Sequence, residues 1–191
     1  MLHIEVYSDV VCPWCYVGKR RLEQALSQVG GDITTTWRPF QLNPTMPKVG
    51  MDRTAYLEAK FGSLDSFRQL EEHVQVAGAS ERITFAFEKI ARTPNTFAAH
   101  RLIWFGAQES CQNAVVDSLF QGYFEEGADI GSIPTLVGLA TRAGLNQACV
   151  ERMFQSDEGT AEVKTEEAAG HKLGIRGVPY FIMNGTYAIS G

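Results

Sequence analysis

Two thiols stand three residues apart in Cys12-Pro13-Trp14-Cys15, a spacing that lets them close a small ring with each other or supply half of a metal site. Ring closure is redox chemistry, in which one thiolate attacks a disulfide sulfur and the second thiol displaces the product. A structural zinc wants four ligands, usually including a second close Cys or His pair. Cys111 and Cys149 stand alone, and His3, His73, His100 and His171 are scattered without ligand spacing. That favours redox exchange over metal, and no metal ligand is assigned.

The flanking residues say what must position the pair. Leu2, Ile4 and Val6 alternate with His3, Glu5 and Tyr7, the period-2 pattern of a strand with one buried face. From Tyr16 to Val29, Val17, Leu22, Ala25, Leu26 and Val29 recur at helical spacing among charged residues. The pair therefore sits where a strand hands over to a helix. The first helical turn leaves backbone N–H groups unpaired and favours an anion, so Cys12 is expected as a thiolate, below the pKa of about 8.5 of a free cysteine. Pro13 suits the first turn, where its missing N–H costs nothing, and Cys15, one turn deeper, is the expected resolving thiol.

Near the other end, Gly177-Val178-Pro179-Tyr180-Phe181 runs into an apolar stretch interrupted by Asn184-Gly185, a strong hairpin signal. Proline is tolerated at the start or edge of a strand, which puts Pro179 at the start of this one. It is either an ordinary turn proline or a cis proline set against the thiols from the opposite loop.

With Ser8-Asp9-Val10-Val11 leading into the Cys pair, Gly177-Val178-Pro179 near the end and a long helical middle, the chain resembles the DsbA-family thioredoxin-fold oxidoreductases, most closely their cytosolic, FrnE-like branch. The resemblance covers essentially the whole chain, including Arg38-Pro39-Phe40-Gln41-Leu42-Asn43-Pro44 and Asn95-Thr96-Phe97-Ala98-Ala99-His100-Arg101. It implies an α/β protein: a thioredoxin-like fold interrupted by a large all-helical insertion. It also implies that Cys12 is the nucleophile, Cys15 resolves, Pro179 is cis, and Val178 offers backbone hydrogen bonds to a bound peptide. No cofactor is implied beyond the redox-active Cys12–Cys15 pair, with glutathione admitted as reductant. Family members also place a carboxylate on the first strand behind the pair. Glu5 is the candidate for tuning the thiols, with Asp9 competing; His100, within a helical run, reads as structural.

Residues Ile33 to Arg38, rich in β-branched threonines, read as the second strand. Helical periodicity then covers Thr54 to Phe61, Ser63 to Ala77, Thr96 to Glu109, Ala114 to Glu126, Ile133 to Ala143, Gln147 to Gln155 and Thr160 to Leu173. Pro94 and Pro134 suit helix first turns with Thr93 and Ser132 as caps, and Gly144 and Gly174 suit C-terminal caps. Ile83, Phe85 and Phe87 alternate as if Ser80 to Ile90 were extended. The expected organisation is a thioredoxin-like domain of residues 1–53 and 174–191, and a helical insertion of residues 54–173 that roofs the Cys pair.

The 191 residues, 45% apolar, suffice for a real core without disulfides or metal. A net charge of −5 and the absence of long like-charged runs argue against nucleic acid or anionic membrane as partner. The chain opens directly on a strand, without a signal-peptide pattern, and contains no stretch of transmembrane length, so a cytoplasmic location is expected. It stops at Ser190-Gly191, just after the hairpin, where thioredoxin-like domains usually add a covering helix. The expectation is that the natural protein continues, or that a homodimer supplies the cover.

Trp14 cannot supply the positive charge that a histidine between the cysteines provides, so the couple should be less oxidising than periplasmic DsbA at about −120 mV. Trp14, Phe40 and Tyr180 are candidates for an apolar rim that binds protein or peptide substrates, core packing being the alternative role. Disulfide- or thiol-containing proteins, peptides and small thiols are the expected partners. Two other readings share the fold plan: a kappa-class or hydroxychromene-carboxylate type glutathione-dependent enzyme, disfavoured by the complete Cys pair, and a redox-independent chaperone or polyketide-pathway binding module. Cys111 and Cys149 read as small residues buried in helices, with a second redox pair left open.

Overall fold

The computed structural model describes residues 1–191, the side chains of residues 64–66 excepted. In chain order the elements are β1 (Leu2–Ser8), α1 (Pro13–Gln28), β2 (Ile33–Pro39), β3 (Met51–Asp52), α2 (Arg53–Phe61), α3 (Leu64–Ser80), β4 (Arg92–Thr93), α4 (Phe97–Gln108), α5 (Gln112–Phe124), α6 (Ile133–Arg142), α7 (Gln147–Gln155), α8 (Thr160–Lys172), β5 (Tyr180–Met183) and β6 (Tyr187–Ser190). The main sheet runs β2-β1-β5-β6. β1 and β2 are parallel, with Leu2 beside Ile33 and Ser8 beside Pro39, joined by α1. β5 pairs antiparallel with β1, setting Val6 beside Phe181. Asn184 and Gly185, both at positive φ, turn β5 into β6, the geometry that an Asn-Gly hairpin favours. β6 forms the sheet edge, with Tyr187 and Ile189 exposed. No helix among the described residues is long and apolar enough to cross a membrane.

All seven expected helical runs are present as α2 to α8, between β2 and β5 in the chain. Gly144 and Gly174, at φ +98° and +78°, follow the last residues of α6 and α8 as left-handed stops. Two local expectations fail. Pro94 does not enter a helix: Arg92 and Thr93 pair with Asp52 and Met51, and α4 starts only at Phe97. A two-residue ladder leaves no periodicity to detect. Residues 80–90 are not a strand either; Phe87–Lys89 form a 3₁₀ turn. Their alternating apolar residues are explained by packing, since Phe85 stacks on Phe87 at 4.8 Å and meets Tyr16 edge-on at 6.1 Å.

The two faces of β1 are covered by different helices. Ile4 lies on the side of α1, with Val17, Gly18, Phe181 and Met183 around the same hollow. The Glu5 and Tyr7 side faces α8, where a Cβ on Gly170 would stand 2.7 Å from the Tyr7 ring. α1 is also fastened to α5. The fully buried Tyr16 stacks on Phe120 at 5.1 Å and donates its hydroxyl hydrogen to Glu125 at 2.6 Å. Lys19, with no exposed surface, pairs with Glu23 and, at 3.0 Å, with Asp117. One continuous apolar core runs from Ile4 and Val6 of the sheet through Leu102 and Leu119 of the helices.

α1 lies close against Pro179 and β5 at Gly18, where a Cβ would stand 3.0 Å from Pro179 Cγ and 3.3 Å from Phe181 Cζ. Gly18→Ala should be nearly neutral, because the gain in helix propensity of about 1 kcal/mol offsets the crowding. Gly18→Val overpacks the contact and should cost about 1–3 kcal/mol, read as a lowered urea midpoint at unchanged slope.

Candidate active site

Cys12 is the N-cap of α1, in extended conformation, and Pro13 follows in the first turn. The Cys12 N–H donates to Asp9 O at 3.0 Å and the Cys15 N–H to Cys12 O at 3.0 Å, so the loop is bound to the strand before it and to the helix after it. Cys12 keeps 6% of its surface exposed and Cys15 none; both thiols are unbonded. The Val178–Pro179 peptide is cis, which settles the two readings of Pro179. Pro179 immediately precedes β5 and is itself buried. Across 166 positions of sequence, Cys12 Sγ donates to Val178 O at 3.5 Å.

The two thiols differ sharply in acidity. A hydrogen bond from the Cys15 thiol, helped by the backbone N–H groups of Cys15 and Trp14, holds the Cys12 thiol below its ordinary value against burial and the negative charge of Asp9. Burial pushes Cys15 well up, and its bond to Cys12 adds to this, while Ser8 and the Asp9 backbone act in the opposite sense. Such a pair presents a nucleophilic thiolate near the surface and a protonated thiol beneath it.

Glu5 is not behind the pair. On β1 it points to the α8 side, where Arg38 bonds it at 2.9 Å and reaches on to Glu166 at 2.9 Å. The alternation of the strand carries it away from α1, and its carboxylate is neutralised on the opposite face of the sheet. The carboxylate next to the thiols is Asp9, which has left the strand and is 1% exposed. Its Oδ2 accepts from the Leu42 N–H at 2.8 Å, and its Oδ1 lies 3.4 Å from Nε2 of His100 on α4, 2% exposed. Among the described residues, neither Asp9 Oδ1 nor His100 Nε2 has a hydrogen-bond partner. In the sequence His100 reads as a structural residue of a helix; the packing of α4 brings it to Asp9.

Phe40, expected to bind substrate, is 4% exposed with its ring 4.8 Å from that of His171, so it is core and not rim. Tyr180 is half-buried at the start of β5, paired with Tyr7 and Ser190. Trp14 is 43% exposed and stands between two hollows, one over the sheet and one under the helices. Val178 is 9% exposed and meets Cys12 through its carbonyl. Cys111 caps the start of α5 and Cys149 lies in α7, both half-buried, not fully buried as expected. Among the described residues no three His, Cys, Asp or Glu side chains gather as a metal site.

The model of the DSBA-like thioredoxin domain matches residues 3–191. The probable DsbA oxidoreductase SCO1869 from Streptomyces coelicolor is 29% identical, superimposes with a TM-score of 0.91 and aligns over 100% of this chain and 84% of its own. A 2-hydroxychromene-2-carboxylate isomerase aligns at a TM-score of 0.75 and 16% identity, covering 99% of this chain and 88% of its own. The cytosolic disulfide reductase DsbM from Pseudomonas aeruginosa, solved with GSH, aligns at 0.69 and 15% identity, covering 98% of this chain and 89% of its own. The last two likenesses are of fold.

The Asp9 charge opposes ionisation of Cys12, so Asp9→Asn should move the Cys12 titration to lower pH. Thiolate absorbance at 240 nm, followed against pH in a protein with Cys111 and Cys149 replaced by alanine, reads this shift. A midpoint that stays put or rises would show that the Asp9 charge does not reach the thiol.

Proposed function

The chain belongs to the family of DSBA-like thioredoxin domains, and from that premise we propose that it is a thiol-disulfide oxidoreductase working by dithiol exchange through Cys12 and Cys15. The observation that carries this reading is the opposed acidity of two adjacent thiols facing the Val178–Pro179 peptide. Cys12 thiolate attacks a substrate disulfide, forms a mixed disulfide and releases the other half as a thiolate. Cys15 then gives up its proton, attacks the Cys12 sulfur and frees the reduced substrate. Two electrons pass to the substrate, and the protein keeps a Cys12–Cys15 disulfide. Asp9, whose charge acts on Cys12, takes the place of Glu5 as the buried carboxylate beside the pair.

Pro13 and Trp14 tune the pair, Pro179 shapes the substrate side of it, and Tyr180 continues that side into β5. Trp14 brings no positive charge to the thiolate, which supports a moderately oxidising couple suited to reduction or isomerisation in a reducing cytoplasm. Glutathione is the proposed reductant; the DsbM structure that shares this fold holds GSH. The likeness to the isomerase stops at the fold, and the resolving Cys15 favours exchange.

Cys12→Ser should reduce insulin-disulfide cleavage to the uncatalysed rate, and Cys15→Ser should do the same while accumulating mixed disulfides visible by mass spectrometry. Full turnover without Cys12 would rule out the mechanism. Unchanged protection of an aggregating client in the double variant would favour a redox-independent binding module.

A further inference from the structure

Beside Cys12, the helical segment leaves a cavity of about 240 Å³ between α1, α2, α3 and α5. Its walls include Leu57, Phe61, Phe67, Phe87, Tyr123 and Phe124, so a ligand there would meet aromatic rings from three helices and the turn at Phe87. Three charged side chains also reach it: Arg53 and Glu71 compensate each other, and Lys60 is held by neutral partners. Arg53 pairs with Glu71 at 3.5 Å and lies over the Phe67 and Phe87 rings at 5.5 and 5.7 Å. Lys60 donates to Tyr56 Oη at 2.7 Å and to Asn43 Oδ1 at 3.4 Å. A carboxylate-bearing ligand such as a glutathione tripeptide would lose hydration against the ring walls, and the cation it could meet without an acidic partner, Lys60, is exposed to solvent and screened. An uncharged aromatic group would lose nothing and bury its faces against other rings.

The size limits the occupant further. Drug-sized sites run to roughly 300–1,000 Å³, so this one suits a single substituted ring. Cys12 forms part of the wall and is almost wholly buried, which admits a narrow molecule to the sulfur more readily than a folded polypeptide.

We propose that this cavity binds the aromatic arm of a small, uncharged disulfide and so sets the substrate class of the Cys12–Cys15 pair. The proposal rests on the exchange reading above. Cys12 thiolate attacks the sulfur that bears the aromatic arm, the substrate S–S bond breaks and the second half leaves as a thiolate. Cys15, once deprotonated, attacks the Cys12 sulfur and expels the aromatic thiolate, so that two electrons have moved from the protein dithiol to the substrate. Two molecules of a low-molecular-weight thiol restore the dithiol and become one disulfide.

The test is single-turnover oxidation of the prereduced chain by benzyl 2-hydroxyethyl disulfide and by bis(2-hydroxyethyl) disulfide, which share an alkanethiolate leaving group. The benzyl compound should react about tenfold faster or more, with saturation. Val74, on α3, also lines the cavity; Leu57→Trp, and independently Val74→Phe, fill it and should abolish that preference, so that the two disulfides react at equal rates. Equal rates in the unaltered chain, or a preference that survives in either folded variant, overturns the proposal. So does a filling-sensitive rate confined to a phenylalanine-bearing peptide disulfide, which would make the occupant a polypeptide side chain. Calorimetric binding of unreactive benzyl ethyl thioether reads the cavity without exchange: binding with no oxidation by either disulfide overturns the exchange reading alone, whereas no binding overturns the cavity assignment.

Discussion

How closely α1 can lie against the sheet is the constraint on which the site depends. At Gly18 the helix backbone approaches Pro179 and Phe181 so nearly that even a methyl group would be crowded. That approach lowers the N-terminus of α1 onto the loop before β5 and brings Cys12 Sγ to Val178 O. On its other side the helix is held by Tyr16 against Phe120 and by Lys19 against Asp117. A buried lysine is costly unless paired, so this fastening is also a register mark: sliding α1 by one residue would strand the charge. The thiols are fixed because their helix is held from both sides.

Placement at the start of a helix then separates two chemically identical groups. Cys12, as N-cap, can accept from backbone N–H groups and from the thiol below it. Cys15, one turn in, has lost all contact with solvent and carries the cost of burial. The fold need supply no other charge to make one thiol a nucleophile and the other its reserve. Asp9, with His100 beside it, is the buried carboxylate whose charge acts on Cys12, while its backbone supports Cys15.

The helices between β2 and β5 do more than cover this pair. α8 packs on the far face of β1 through Gly170 and takes Glu5 into the Arg38–Glu166 network. α2, α3 and α5 instead leave a ring-lined hollow next to Cys12. One segment of chain therefore supplies both the support of the sheet and the surroundings of the nucleophile.

Much of this was legible in the residues themselves. Short-range periodicity gave β1, α1, β2 and every long helix, because side-chain burial repeats within a few residues wherever an element has one wet face. The Cys12–Cys15 spacing and the Asn184-Gly185 turn are likewise local, and each carries its geometry in a few bonds. Contacts between distant parts of the chain leave no such trace. Strand alternation alone does not say which helix covers which face, so the choice between Glu5 and Asp9 depends on α8 and α1 lying on opposite sides of β1. Phe40 was equally a rim or a core residue until His171 was found against it. Tertiary packing decided that Asp9 meets His100, that Val178 meets Cys12 and that a cavity remains beside the thiol, because those encounters depend on how whole elements stack, and no local pattern of residues encodes that.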